Sequence, residues 1–154
     1  VTIEVRADDL TAPEVLALVA EHVADMRGNS PACHAHALAV ESLRSPDITF
    51  WSAWADGTLC GCGALKQLDA STGEVKSMRT RAAFLRRGVG QAVLDRIVDT
   101  ARQRGYTRLV LETGAGPAFE SAHAFYLRNG FEWTEAFGTY TATDFNVFMA
   151  RSLG

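Results

Sequence analysis

The sequence is poor in the features that announce several common protein classes. It has three cysteines in 154 residues, two of them as Cys60-Gly-Cys62, and an odd count with that spacing gives no disulfide framework. On a strand, residues two apart share a face, where small cysteines pack rather than ligate. Cys33, His34 and His36 stand close together, but no second ligand pair lies at zinc spacing, so no metal is expected. No apolar run approaches the ~20 residues that span a bilayer. The opening VTIEVRADDL lacks the charged and apolar regions of a secretory signal, so no membrane partner and a cytoplasmic location are expected. Basic excess is missing as well: the net charge of -3 argues against nucleic acid as a partner. With 47% hydrophobic and 21% charged residues and no repeat, low-complexity tract or linker, the chain reads as a single domain over residues 1–154.

What is present alternates between helical and strand patterns. Thr11-Ala-Pro-Glu14 has the form of a capping box, after which Val15, Leu18, Val19, His22, Val23 and Met26 recur at helical spacing until Gly28. A loop over 28–31 and a shorter helical pattern from His34 to Leu43 follow, ended by Pro46. ITFWSAW, the turn pair Asp56-Gly57, TLCGCGALKQL, the turn Asp69–Gly73 and EVKSMRT then predict a three-stranded meander. Val93, Leu94, Ile97, Val98 and Ala101 mark one face of a helix that stops at Gly105, and TRLVLET is a buried strand. Strand, helix, strand in that order is a crossover, so the sheet turns parallel around this helix. A helix through FESAHAFYLRN, a cap at Gly130, the strand start FEW and a terminal strand NVFMARSL complete an α+β chain with a mixed central β-sheet flanked by helices.

The chemistry concentrates where EVKSMRT leads through Arg86, Arg87, Gly88, Val89 and Gly90 into the long helix. A helix N-terminus offers unpaired amides and partial positive charge, and glycines let an anionic ligand approach the backbone. Arg86 and Arg87 can add charge-assisted hydrogen bonds, which suits a phosphate or pyrophosphate. The P-loop pattern fails, since no lysine follows the glycines, and the dinucleotide fingerprint fails at Val93. Taken alone, the Gly-Val-Gly motif reads equally well as a solvated surface turn.

The order of the motifs, ending in Phe125-Tyr126-Leu-Arg-Asn-Gly130-Phe131, resembles the GNAT superfamily of N-acetyltransferases over nearly the whole chain, and GEVKSMRT, FWSAW and LETG resemble a bacterial subgroup of small acetyltransferases. The resemblance implies the GNAT fold and acetyl-CoA as co-substrate, its pyrophosphate held by Arg86, Arg87, Gly88, Val89, Gly90 and Gln91. Leu85 stands at the first motif position, where the family has Gln or Arg. The resemblance further implies that backbone groups of Met78, Arg79 and Thr80 hold the pantetheine arm as an added strand would. Phe119 stands where the family often has Asn. Tyr126 occupies the position of a general acid for the leaving thiolate, or else is packing. A phenol with an ordinary pKa of about 10 is protonated at neutral pH and suits that task.

Attack on a thioester requires a neutral amine, so a carboxylate on the central strands is expected to help remove a proton. Glu74 and Glu112 are the candidates, each equally readable as an ion-pair partner or an exposed strand end. Strand alternation predicts that Glu74, Lys76 and Met78 share a face, opposite Ser77 and Arg79. Phe50, Trp51 and Trp54 read as core or substrate wall and His123 as a surface residue; the resemblance implies that His34 and His36 sit near the segment that shapes the acceptor pocket, where they read as solvated residues or, alternatively, substrate contacts. No cysteine lies in the two motifs, so direct transfer in a ternary complex to a small-molecule or peptide amine is expected, with a homodimer as one assembly. A non-catalytic acyl-CoA-binding or sensory module is the alternative, and another phosphorylated ligand at the same turn is a third.

Overall fold

A computed structural model describes residues 2–27, 40–138 and 140–154. The expected stop at Gly28, the loop over 28–31, most of the helical pattern from His34 to Leu43, and Cys33, His34 and His36 lie outside the described residues; residues 40–43 are helical. In chain order the elements are β1 (Ile3–Ala7), α1 (Pro13–Arg27), β2 (Ile48–Ala55), β3 (Thr58–Gln67), β4 (Thr72–Thr80), α2 (Val89–Gln103), β5 (Arg108–Gly114), α3 (Glu120–Arg128), β6 (Glu132–Thr134) and β7 (Asn146–Ser152). Among the described residues they form a seven-stranded sheet in the order β1-β2-β3-β4-β5-β7-β6, parallel only between β4 and β5. The mixed sheet and its meander β2-β3-β4 are as expected. β1 was missed because its five residues alternate too briefly to stand out from the chain start, and it pairs with β2 fifty residues away.

Both sheet faces are covered. Leu10, Val15, Leu18 and Val19, before and on α1, pack with Phe50, Cys62 and Ala64 on one face. On the other, Val89, Val93, Leu94, Ile97, Val98 and Ala101 of α2 meet Trp51, Leu65, Leu109 and Leu111. Spacings of three and four put these α2 residues on one stripe, which is why the periodicity was readable. Cys60 and Cys62 are free, buried packing residues, and Phe50 and Trp51 are core. Trp54 lies against the α1-side core, its indole donating to Ser52 Oγ at 2.8 Å. Asp56 and Gly57 both have positive φ, at 50° and 78°, the requirement of the two-residue hairpin turn. The start of α1 departs from the capping-box expectation. The Thr11 hydroxyl donates to Asp9 at 2.6 Å, and the helix opens on Pro13, whose missing N–H would have had no helical partner.

The second departure shapes the site. Lys76 pairs with Ala64 and Arg79 with Cys62, so three steps along β4 match two along β3. The extra residue is a bulge at Ser77, which adopts φ +56°, a left-handed conformation uncommon outside glycine. The bulge breaks the alternation. Met78 therefore turns to the α2 face, its sulfur 2.6 Å from where a Cβ on Gly63 would sit, while Glu74 and Lys76 stay on the other. The expectation that Met78 shares a face with them is thus corrected.

Candidate active site

β4 and β5 pair through only three positions, Thr72, Gly73 and Glu74 against Arg108, Leu109 and Val110. Beyond that rung β4 runs on to Thr80 paired only with β3, and β5 runs on to Gly114 paired only with β7. The two strands splay into a wedge with its root at Glu74. Among the described residues, the edge of β4 from Val75 to Thr80 has no strand partner on that side, which leaves backbone groups open to a ligand strand. Two cavities, of about 560 and about 680 Å³, occupy the wedge and share Met78, Arg79, Thr80, Leu85, Ser121, Ala122 and Tyr126 as walls.

One cavity ends at the start of α2. Gly88 is the helix N-cap at φ +85°, and a Cβ built on it would meet nothing within 4 Å, so the space above the turn is open. The amides of Val89, Gly90 and Gln91 belong to the first helical turn and lack partners within the helix, whose first internal bond here is Ala92 N–H to Gly88 at 3.0 Å. A Cβ on Gly90 would rest 3.6 Å from Phe125. Arg86 lines this cavity, as does Arg128 from α3, a second cation that sequence reasoning had not assigned there. Arg87 is not among its walls; its guanidinium lies 5.8 Å from the centre of the Phe84 ring. The Gln91 side chain donates to Asn129 and Asp95, both at 2.8 Å, so its contribution to an anion is its backbone amide. An open left-handed turn, unpaired amides and Arg86 are a chemical fit for a pyrophosphate.

Tyr126 stands in the walls common to both cavities. Its place follows from how α3 ends. Gly130 is left-handed at φ +86°, Gly130 N–H bonds Leu127 at 3.2 Å and Phe131 N–H bonds Tyr126 at 3.0 Å, the double bond pattern of a Schellman cap. That cap brings Phe131 edge-on to Tyr126 at 5.4 Å, the apolar contact that accompanies such caps. Burial pushes the Tyr126 phenol well above its ordinary value, so it carries its proton throughout the neutral range. Phe119, packed on Gly114 so closely that a Cβ there would lie 2.3 Å from its ring, gives the wedge an apolar wall. His123 is half-buried rather than a surface residue: its Nε2 lies 2.8 Å from the Gly114 carbonyl and its ring stacks edge-on to Trp133 at 5.1 Å, tying α3 to the end of β5.

The other cavity ends on charged side chains. Glu74 is 3% exposed; its Oε2 accepts from the Tyr140 hydroxyl at 2.6 Å and lies 3.5 Å from Lys76 Nζ. Lys76 Nζ also donates to Tyr140 Oη at 3.1 Å. Glu112 lines the same cavity and accepts from Asn146 Nδ2 at 2.9 Å. His22 reaches this cavity from α1, and Arg79, also a wall, bonds Glu21 of α1 at 2.7 Å. Tyr140 was not singled out from the sequence, and Lys76 only as a residue on the face of Glu74. EAFGTYTATD has no periodicity, and the only available signal was a tyrosine in a polar loop.

A sequence model of the GNAT acetyltransferase family matches residues 15–131, which contain the glycine turn, both arms of the wedge and Tyr126. The chain is 49% identical to an uncharacterized N-acetyltransferase of Bacillus subtilis, YsnE, over 97% of this chain and 99% of that one. It is 45% identical to another of Escherichia coli, YedL, over 97% and 94%. The chain belongs to the GNAT acetyltransferase family. It is by that kinship an N-acetyltransferase, and the family uses acetyl-CoA. A structure assigned as an acyl-CoA N-acyltransferase from Klebsiella pneumoniae superposes with TM-score 0.82 at 25% identity, covering 99% of both chains. An aminoglycoside 6'-N-acetyltransferase complexed with coenzyme A superposes with TM-score 0.75 over 97% of both chains; at 12% identity it speaks for the fold alone. Within the GNAT frame, Leu85 departs from the motif at a position 57% exposed on the rim shared by both cavities.

Proposed function

We propose that this GNAT domain, spanning residues 1–154, moves an acetyl group from acetyl-CoA directly to a primary amine, on a small molecule or a peptide, with both substrates bound at once. The observation that carries the reading is the wedge itself: a backbone anion cradle at one end, carboxylates at the other, and Tyr126 on the walls between. Gly88, Val89, Gly90 and Gln91 offer amides, and Arg86 a cation, to the pyrophosphate. Arg87, off the cavity wall, adds only long-range charge. Met78, Arg79 and Thr80 offer the open edge of β4 to the pantetheine arm.

Tyr126, holding its proton in a buried position, protonates the departing thiolate, and Glu74 takes the proton that the amine must lose. Direct transfer is supported by the cysteines: Cys60 and Cys62 line neither cavity, and burial pushes the Cys62 thiol up to about 12, far from a reactive thiolate. The test is release of free CoA from acetyl-CoA across a panel of primary alkylamines and peptides, with formation of the N-acetyl product confirmed by mass. Stimulated release with a matching product supports the reading; acetyl-CoA binding without release in any member of the panel overturns it.

A further inference from the structure

Glu74 is a wall at the root of the wedge, yet its carboxylate is almost fully buried and already engaged. Its side chain is 4% exposed, and Oε2 is already shared between Tyr140 Oη at 2.6 Å and Lys76 Nζ at 3.5 Å. Tyr140 lines the same cavity and, half-buried where Glu74 is buried, is the more open of the two to an occupant. Its ring is held edge-on by Phe137 at 5.2 Å and tilted against Phe148 at 6.0 Å. A phenol oxygen has one proton to donate and two lone pairs. Here the proton goes to Glu74 and one lone pair accepts from Lys76 at 3.1 Å, which leaves one lone pair for an ammonium in the cavity.

The second carboxylate is differently engaged. Asn146 Nδ2, which donates to Glu112 at 2.9 Å, also donates to the Thr141 carbonyl at 3.2 Å, and Asn146 Oδ1 accepts from the Thr143 amide at 2.8 Å. Glu112 thereby anchors the segment that carries Tyr140.

Resting on the reading above that an amine is acetylated in this cavity, we infer that Tyr140 is a catalytic proton relay between the acceptor amine and Glu74, with Lys76 and Glu112 as positioning residues. The acceptor's N–H bond breaks as a proton passes to Tyr140 Oη, and the O–H bond that Tyr140 directs at Glu74 breaks as that proton passes to Oε2. The nitrogen keeps the electron pair with which it attacks the thioester carbonyl. One proton leaves the ammonium, Glu74 gains one, and Tyr140 is neutral before and after. Lys76 offsets the charge of a carboxylate that would otherwise be buried alone. The groups facing Tyr140 across the cavity are Glu74, Lys76 and Arg79 from β4, Glu112 from β5, His22 from α1 and Tyr126 from α3.

The test compares kcat/KM against pH for wild type, Tyr140→Phe, Glu74→Gln and the double variant, using the most rapidly acetylated alkylamine of the panel. Tyr140→Phe keeps the ring and its stacking and removes the relay. It should lower kcat/KM about 10²-fold below the amine's own pKa, and the deficit should shrink as pH rises through that pKa, since the amine then arrives without its extra proton. Glu74→Gln should show the same shape, and the double variant should be no slower than the worse single one. A deficit independent of pH, full activity in Tyr140→Phe, or additive losses overturn the relay.

A second measurement needs no acceptor. Tyrosinate absorbance is followed against pH as the difference between each enzyme and its Tyr140→Phe counterpart. Burial raises the Tyr140 phenol most, and the bond and charge of Glu74 raise it further, with a smaller push from Glu112; Glu74→Gln should therefore bring Tyr140 ionisation to lower pH by removing the Glu74 part. An unmoved titration overturns the coupling between the two residues. A wild type that acetylates no amine yet shows the moved titration would sink the reading of function and leave the Glu74–Tyr140 link standing.

Discussion

The two ends of the wedge are built on different principles. The end proposed for the donor is mostly main chain: the first amides of α2, a left-handed Gly88 and the unpaired edge of β4. The end proposed for the acceptor is side chains gathered from β4, β5, the β6–β7 loop and α1, with Glu74 and Lys76 bonded to Tyr140 and Glu112 bonded to Asn146, across as many as 66 positions of sequence. Main-chain recognition tolerates many side chains and needs only glycines at set places, so it can serve one donor throughout a family. Side-chain recognition changes with each substitution, so it is where acceptors come to differ.

The largest effect should come from putting charge into the main-chain end. Gly88→Asp adds a carboxylate where the proposed cradle would meet phosphate, and Asp tolerates the left-handed turn better than most residues, so the fold should survive. Acetyl-CoA affinity should fall about 10²-fold or more by calorimetric titration, and unchanged affinity in a folded variant would break the comparison. Next is Tyr126→Phe, which leaves the Phe131 contact intact. It should lower kcat about 10²-fold with acetyl-CoA affinity little altered, measured by single-turnover kinetics so that product release does not mask the step. A full rate would reduce Tyr126 to packing.

Smaller effects sharpen the same contrast. Arg86→Ala should weaken acetyl-CoA binding about 5-fold at low salt and less at high salt, because an exposed cation is screened; Arg87→Ala, off the cavity wall, should matter less. Gly130→Ala should cost about 1 kcal/mol of stability through its left-handed backbone, since the added Cβ meets Arg151 only at an ordinary 3.7 Å. Last is an alkaline effect. Burial raises the Tyr126 phenol above its unfolded value, so its contribution to stability is complete below about pH 10 and is lost as pH rises through the folded pKa. Tyr126→Phe should flatten the alkaline limb of a denaturation series, and an unaltered limb would place the loss in other groups.

The same contrast explains what the sequence could disclose. The Gly88 turn, the α2 stripe, the parallel step to β5 and the Gly130 cap rest on local spacing, and each was legible. Leu85 and Phe119 were visible as departures, but not that one is an exposed rim and the other a wall packed on Gly114. The bulge at Ser77 was invisible, because its sequence alternates as a regular strand would, and so Met78 was assigned to the wrong face. Tyr140 escaped for a different reason: its partners come from a strand far back in the chain, and no local pattern in a polar loop points to them. The proposal of Glu74 over Glu112 likewise rests on partners that no spacing discloses: one is bonded to a cavity tyrosine and the other to Asn146.

Hydrogen–deuterium exchange with and without acetyl-CoA tests most directly whether the donor is held by main chain at one end only. The account predicts slowed exchange at the amides of 88–91 and along the β4 edge at 78–80, with 140–146 unchanged until an amine is added. Slowed exchange at 140–146 with none at 88–91 would contradict it.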